Sequence, residues 1–95
     1  MPSQLTLDAA FTNVEAAESG WLNWARSYAK TYCVMHHSIT SDDIRDAADL
    51  YGIQPDSPKA WGAVFIGHGF RCIGRERSKR KSNNGRFIAR WTYDI

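Results

Sequence analysis

A chain of 95 residues, 43% apolar and 23% charged, is long enough for one domain with one modest core, and its composition excludes the disordered, collagenous and disulfide-dense classes. No run approaches 18 apolar residues and residues 1–4 lack the charged-then-apolar pattern of a secretion signal, so the reading is a cytoplasmic protein with no membrane partner. The net charge of +2 conceals a division: residues 1–58 hold 3 Lys+Arg against 8 Asp+Glu, whereas residues 59–95 hold 9 against 2, which predicts a basic face for a polyanion and an acidic face turned away.

Residues 1–12 show little periodicity and are expected to form a flexible N-terminal arm, leaving residues 13–95 as the domain. From Val14 the apolar residues Ala17, Trp21, Trp24, Ala25, Tyr28 and Tyr32 recur on one helical face, which predicts a helix over about 13–35. Thr12 or Asn13 would cap it, Glu15 and Glu18 would sit at the positive end of its dipole, and His36 and His37 at the negative end. Ser41 followed by Asp42 and Asp43 reads as a hydroxyl cap with first-turn carboxylates, opening a second helix through Ile44, Ala47, Ala48 and Tyr51 to Gly52. Ser57 and Pro58 read as the cap and first residue of a third helix over about 58–67, with Trp61, Val64 and Phe65 inward.

Beyond Gly69 the period changes to two. Phe70, Cys72, Gly74 and Glu76 are expected on one side of a strand, with Arg71, Ile73, Arg75 and Arg77 on the other; Phe87, Ala89, Trp91, Tyr93 and Ile95 share one side of a second strand. Residues 78–86 between them are basic and contain Asn83-Asn84-Gly85, strong hairpin-turn chemistry because Asn and Gly tolerate positive φ.

Three helices followed by a hairpin with a basic tip resembles the winged helix, a variant of the helix-turn-helix fold, over residues 13–95. The string at residues 57–65, Ser-Pro-Lys-Ala-Trp-Gly-Ala-Val-Phe, followed by a basic hairpin, is also similar to small winged-helix proteins of bacteriophages and mobile elements. The resemblance implies an α+β fold in which Ile39 is a minimal first strand, residues 58–67 the recognition helix and residues 78–86 the wing. It implies a DNA-binding regulator of transcription or replication that places the third helix in the major groove of double-stranded DNA and the wing along the backbone or in a minor groove. Arg77, Lys79, Arg80, Lys81 and Arg86 would grip phosphates, Arg75 would support the wing with Arg71 and Arg90 as further bases, and Lys59 and His68 would sit at the groove.

The third helix departs from this pattern. Base edges are normally read by Arg, Lys, Asn or Gln, and residues 58–67 offer only Lys59, so this helix is expected to seat on the backbone. That poverty keeps open a rival in which the same fold is a protein-interaction module, such as a phage-encoded inhibitor or adaptor docking on a host complex. An RNA-binding accessory role would need exposed aromatic rings. A homodimer contact through the arm or the first helix is also open.

Other chemistry is weaker. Cys33, His36 and His37, with Cys72 distant, have no second ligand pair at zinc-finger spacing, so no metal or other cofactor is expected. The two thiols are expected to be reduced and packed as small hydrophobes. The aromatic stripe of the first helix has a helical period and is read as core. No G-x-S-x-G elbow or phosphate-cradling loop accompanies the single Ser, His and Asp residues, so no enzyme activity is expected.

Overall fold

The computed structural model describes residues 19–93. Within them the chain runs α1 (Ser19–His36), β1 (Ile39–Thr40), α2 (Ser41–Tyr51), α3 (Ala60–Ala63), β2 (Phe70–Arg77), a 3-10 turn at Lys81–Asn83 and β3 (Phe87–Tyr93). This is a small α+β domain, with three helices and a three-stranded antiparallel sheet in the order β1-β3-β2 among the described residues. The expected arm at 1–12 and the helix start at 13–18 lie outside them.

On α1 the buried face consists of Trp21, Leu22, Ala25, Arg26, Ala29 and Cys33. It is rotated from the aromatic stripe expected to form the core. Small Ala25 and Ala29, both fully buried, let the helix approach its neighbours closely, while Trp24, Tyr28 and Tyr32 are half-buried at one flank. Spaced four residues apart, these rings meet their neighbours along the helix: Trp24 to Tyr28 at 5.8 Å, Tyr28 to Tyr32 at 6.0 Å and Tyr32 to His36 at 4.3 Å. His37 then takes a left-handed conformation (φ 73°) and donates its N–H to the Cys33 carbonyl at 2.7 Å, closing the helix.

The α2 cap is Thr40 rather than Ser41. Thr40 is extended (φ −120°, ψ 170°) because it also belongs to β1, and the Asp43 carboxylate accepts its backbone N–H at 3.0 Å. Gly52 ends α2 at φ 67°, a left-handed geometry that favours glycine. From there the chain turns under α1, where Trp21 Nε1 donates to the Ile53 carbonyl at 3.0 Å and its ring meets Trp61 edge-on at 4.7 Å. Arg45 of α2 covers the Trp61 ring at 4.2 Å. Trp61, expected inside, is thereby only half-buried.

The third helix is much shorter than the expected 58–67. Its cap is Lys59 rather than Ser57, and Pro58 precedes the helix; Ser57 instead closes a local turn, its hydroxyl accepting the Lys59 N–H at 3.3 Å. Ala60, Trp61 and Gly62 then bond to carbonyls three residues back at 3.1–3.2 Å. Those tight bonds, with the low helix propensity of Gly62, Val64 and Gly67, hold the segment to about one turn. Val64 and Phe65 are buried as expected. The end of α3 is held by Arg26, a buried side chain whose Nε and Nη2 donate to the Val64 and Ala63 carbonyls at 3.0 and 2.7 Å.

In the sheet, Ile39 pairs with Trp91 and Thr40 with Arg90. The hairpin pairs Phe70 with Tyr93 and Cys72 with Trp91, then slips so that Gly74 faces Arg90, Glu76 faces Ile88 and Arg77 faces Phe87. A β-bulge at Cys72–Gly74 therefore moves every later β2 residue to the other side. Glu76 leaves the side of Phe70 and Cys72, and Arg75 and Arg77 join the side of Phe87, Ala89, Trp91 and Tyr93. On that side Trp91 stacks on Phe65 at 5.1 Å and 9°, and Phe65 meets Phe70 edge-on at 5.2 Å. Cys72 is exposed rather than packed as expected, whereas Cys33 is buried.

Candidate nucleic-acid interface

The predicted basic residues are concentrated on the hairpin, and their placement begins with the loop at 78–86. Ser78 is buried and its hydroxyl donates to Asp42 of α2 at 2.8 Å. The Lys79 N–H donates to the same carboxylate at 2.8 Å, while the Ser78 oxygen accepts from the Arg80 N–H and Asn83 Nδ2 at 3.2 and 2.9 Å. The Ser78 N–H closes the loop onto the Arg86 carbonyl at 2.8 Å. Asn84 (φ 51°) and Gly85 (φ 71°) make the return turn that the Asn-Asn-Gly run predicts. The loop is thus a small folded unit seated on α2.

Two of the predicted nucleic-acid-binding bases, the phosphate-gripping Arg80 and the further base Arg90, are already engaged with carboxylates. Arg80 donates through Nη1 to Asp46 at 2.7 Å and through Nη2 to Asp49 at 2.9 Å. The hydrogen bond from Arg80, followed by one from Gln54, holds the Asp49 carboxyl below its ordinary 3.8, and the bond to Asp49 in turn raises the Arg80 guanidinium. Arg90 is bonded to Glu76 and Ser38. Asp43, Asp46 and Glu76 share with Arg80 and Arg90 a polar recess of about 260 Å³. Carboxylates on those walls repel phosphate.

The outward-facing bases are arranged differently. Arg77 donates to the Gly85 carbonyl at 3.1 Å and its guanidinium lies 4.8 Å from the Phe87 ring centroid, leaving its charge unneutralised by a carboxylate. Arg75, on the same face, is exposed, as are Lys79, Lys81 and Arg86 around the loop; these four side chains have no acceptor among the described residues. Arg71 is exposed on the opposite side of β2, paired with Thr92. Lys59 precedes α3 and His68 lies between α3 and β2, both exposed. The structure gathers Arg75, Arg77, Lys79, Lys81 and Arg86 at one end of the hairpin, and leaves Lys59, His68 and Arg71 on other parts of the surface.

Several residues of this region escape a reading by residue type. Asp42, Asp46 and Asp49 recur at i, i+4 and i+7 of one helix, a stripe that becomes the seat of the loop. Phe87, which the period places on the same side of β3 as Trp91 and Tyr93, is 54% exposed. Among the described residues no three His, Cys, Asp or Glu side chains group to hold a metal, and no helix is long and apolar enough to cross a membrane. No family model, curated protein or solved structure matches the chain.

Proposed function

We propose that this chain is a DNA-binding domain of winged-helix type, a small phage or mobile-element regulator of transcription or replication that grips duplex DNA through the end of its β2–β3 hairpin. The observation that carries the reading is the cluster of five outward cationic side chains at the end of the hairpin, Arg75 and Arg77 on β2 and Lys79, Lys81 and Arg86 on the loop that is seated on α2. A solvated surface usually intersperses both signs, but here the nearby carboxylates Asp42, Asp46, Asp49 and Glu76 face the loop's underside and strand partners. The element order and the β1-β3-β2 sheet support the winged-helix assignment, with the loop as wing.

In this reading Arg75, Lys81 and Arg86 bind phosphates as diffuse point charges and Arg77 approaches the groove, while Arg80 positions the wing instead of gripping. The one-turn α3, whose nearest base is Lys59, contributes seating rather than base readout. Four to five phosphate contacts correspond to a log–log salt slope of about −4. The test is fluorescence anisotropy with a duplex, a single strand and an RNA hairpin across a salt series, comparing wild type with Arg75→Ala/Lys81→Ala/Arg86→Ala. Retention of wild-type affinity and slope by the triple variant overturns the proposal. The rival, a protein-interaction module, is favoured by the absence of base-reading side chains on α3, and gains if wild type binds none of the three nucleic acids at ~50 mM salt, where a phosphate-gripping surface binds strongly.

A further inference from the structure

Along β3 the residues Tyr93, Trp91, Ala89 and Phe87 occupy one face by register. Tyr93 and Trp91 pack against the core cluster, but Phe87, at the loop end of the strand, leaves the cover of the helices with 54% of its surface exposed. One exposed ring is ordinary on a protein surface, but this one stands beside the cationic end of the hairpin, where something else can use it. Its surroundings restrict what that something is. Arg77 lies across the ring at 4.8 Å and is itself fixed by the Gly85 carbonyl at 3.1 Å, Arg75 precedes it on the same face, and Arg86 is adjacent in the chain. An apolar partner would have to desolvate these cations without compensation. A polyanion that also offers flat aromatic surfaces satisfies both the charges and the ring.

We propose that Phe87 is a wedge that enters a base step of the bound duplex, with Arg77 and Arg75 lying along the flanking phosphates or groove. This deepens the DNA-binding reading and rests on it. The guanidinium supports one side of the ring and fixes its direction, so that inserting the free edge costs little side-chain ordering. Apolar wedges flanked by arginines unstack a step and kink DNA, and the cost is least at flexible pyrimidine–purine steps. Sequence preference would then come from deformability, which suits a domain whose third helix carries no base-reading groups.

The experiment uses the full chain with 30-base-pair duplexes that carry 2-aminopurine beside a central TA step and a donor–acceptor dye pair at the ends. Wild type should raise 2-aminopurine fluorescence and shorten the end-to-end distance. Phe87→Thr, which keeps strand propensity, should lose both signals and about tenfold in affinity while keeping the wild-type salt slope. Phe87→Leu should restore bending, because a wedge needs apolar bulk rather than a π-system. Equal unfolding midpoints of the three proteins establish that the comparison is between folded chains; if Phe87→Thr is unfolded, Phe87→Gln takes its place. Bending and fluorescence unchanged in the substituted protein overturn the wedge while leaving DNA binding intact. Tighter binding to the single strand than to the duplex also overturns it. Failure of wild type to bind any duplex overturns both readings.

Discussion

Asp42 shows how much one side chain decides here. Its carboxyl group is buried, and its two oxygens accept from the Ser78 hydroxyl and the Lys79 N–H. Substituting Asp42→Ala leaves two donors at the foot of the loop without an acceptor, and should cost about 2–3 kcal/mol in urea-induced unfolding, since an orphaned buried donor loses more than a bond's net value. The two cysteines provide a second measurement at this scale. Burial raises the Cys33 thiol above its ordinary 9.0, so it stays protonated and covered at neutral pH, whereas Cys72 is exposed. Iodoacetamide at pH 7.5 should modify Cys72 in the native protein and Cys33 only after unfolding, as read by peptide mass spectrometry. Two modified sites in the native state would show that α1 does not bury Cys33 against the sheet.

At the scale of elements, α2 and the hairpin strands follow closely from their patterns, and α3 does not. Ile44, Ala47 and Ala48 are buried at the spacing a helix requires, and Gly52 ends it where glycine is expected. Strand periodicity also locates β2 and β3, but a period of two cannot reveal a bulge, which inserts a residue without a distinctive residue type; Arg75, Glu76 and Arg77 consequently exchange faces. The third helix stops after one turn of three-residue bonds around Gly62, and its end is then held by a residue 37–38 positions away. Arg26 supplies donors for the Ala63 and Val64 carbonyls, a contact invisible to any local window. Arg26→Met should keep much of the buried volume but remove both guanidinium bonds, leaving the Ala63 carbonyl only the Ile66 N–H at 3.3 Å, lowering stability by about 1–3 kcal/mol with loss of protection at residues 60–65 in hydrogen exchange. Unchanged protection there would mean that α3 is held by packing alone.

At the scale of the whole molecule, the acidic stripe of α2 and the basic loop form one electrostatic unit. Asp46 and Asp49 share Arg80, and in the proposed complex those carboxylates compete with phosphate for it. Asp46→Asn/Asp49→Asn should therefore tighten duplex binding several-fold and steepen the salt slope by about one, as one more cation becomes available. The attachment should also respond to pH in a defined direction. Because Asp49 titrates below its ordinary 3.8 in the folded chain, its contribution is fully present above that value and disappears as pH falls through the lowered one. Chemical shifts of Arg80 and Asp49 followed from pH 7 downward should hold steady until below pH 4 and then move together. In the doubly substituted chain that acid transition should be absent.

Local pattern was enough to determine the helices α1 and α2, the hairpin and its turn, and the separation of an acidic front half from a basic back half, because each depends on periodicity, capping chemistry or charge within a few residues. Tertiary structure decided which way α1 faces, since close packing selects Ala25 and Ala29 over the larger rings, and which arginines are available, since Arg80 and Arg90 meet carboxylates 14 to 34 positions away. It also decided that Phe87 stands in water beside Arg77. Charge and period specify what a residue can do; only the distances between distant segments specify which of those possibilities has already been used inside the fold.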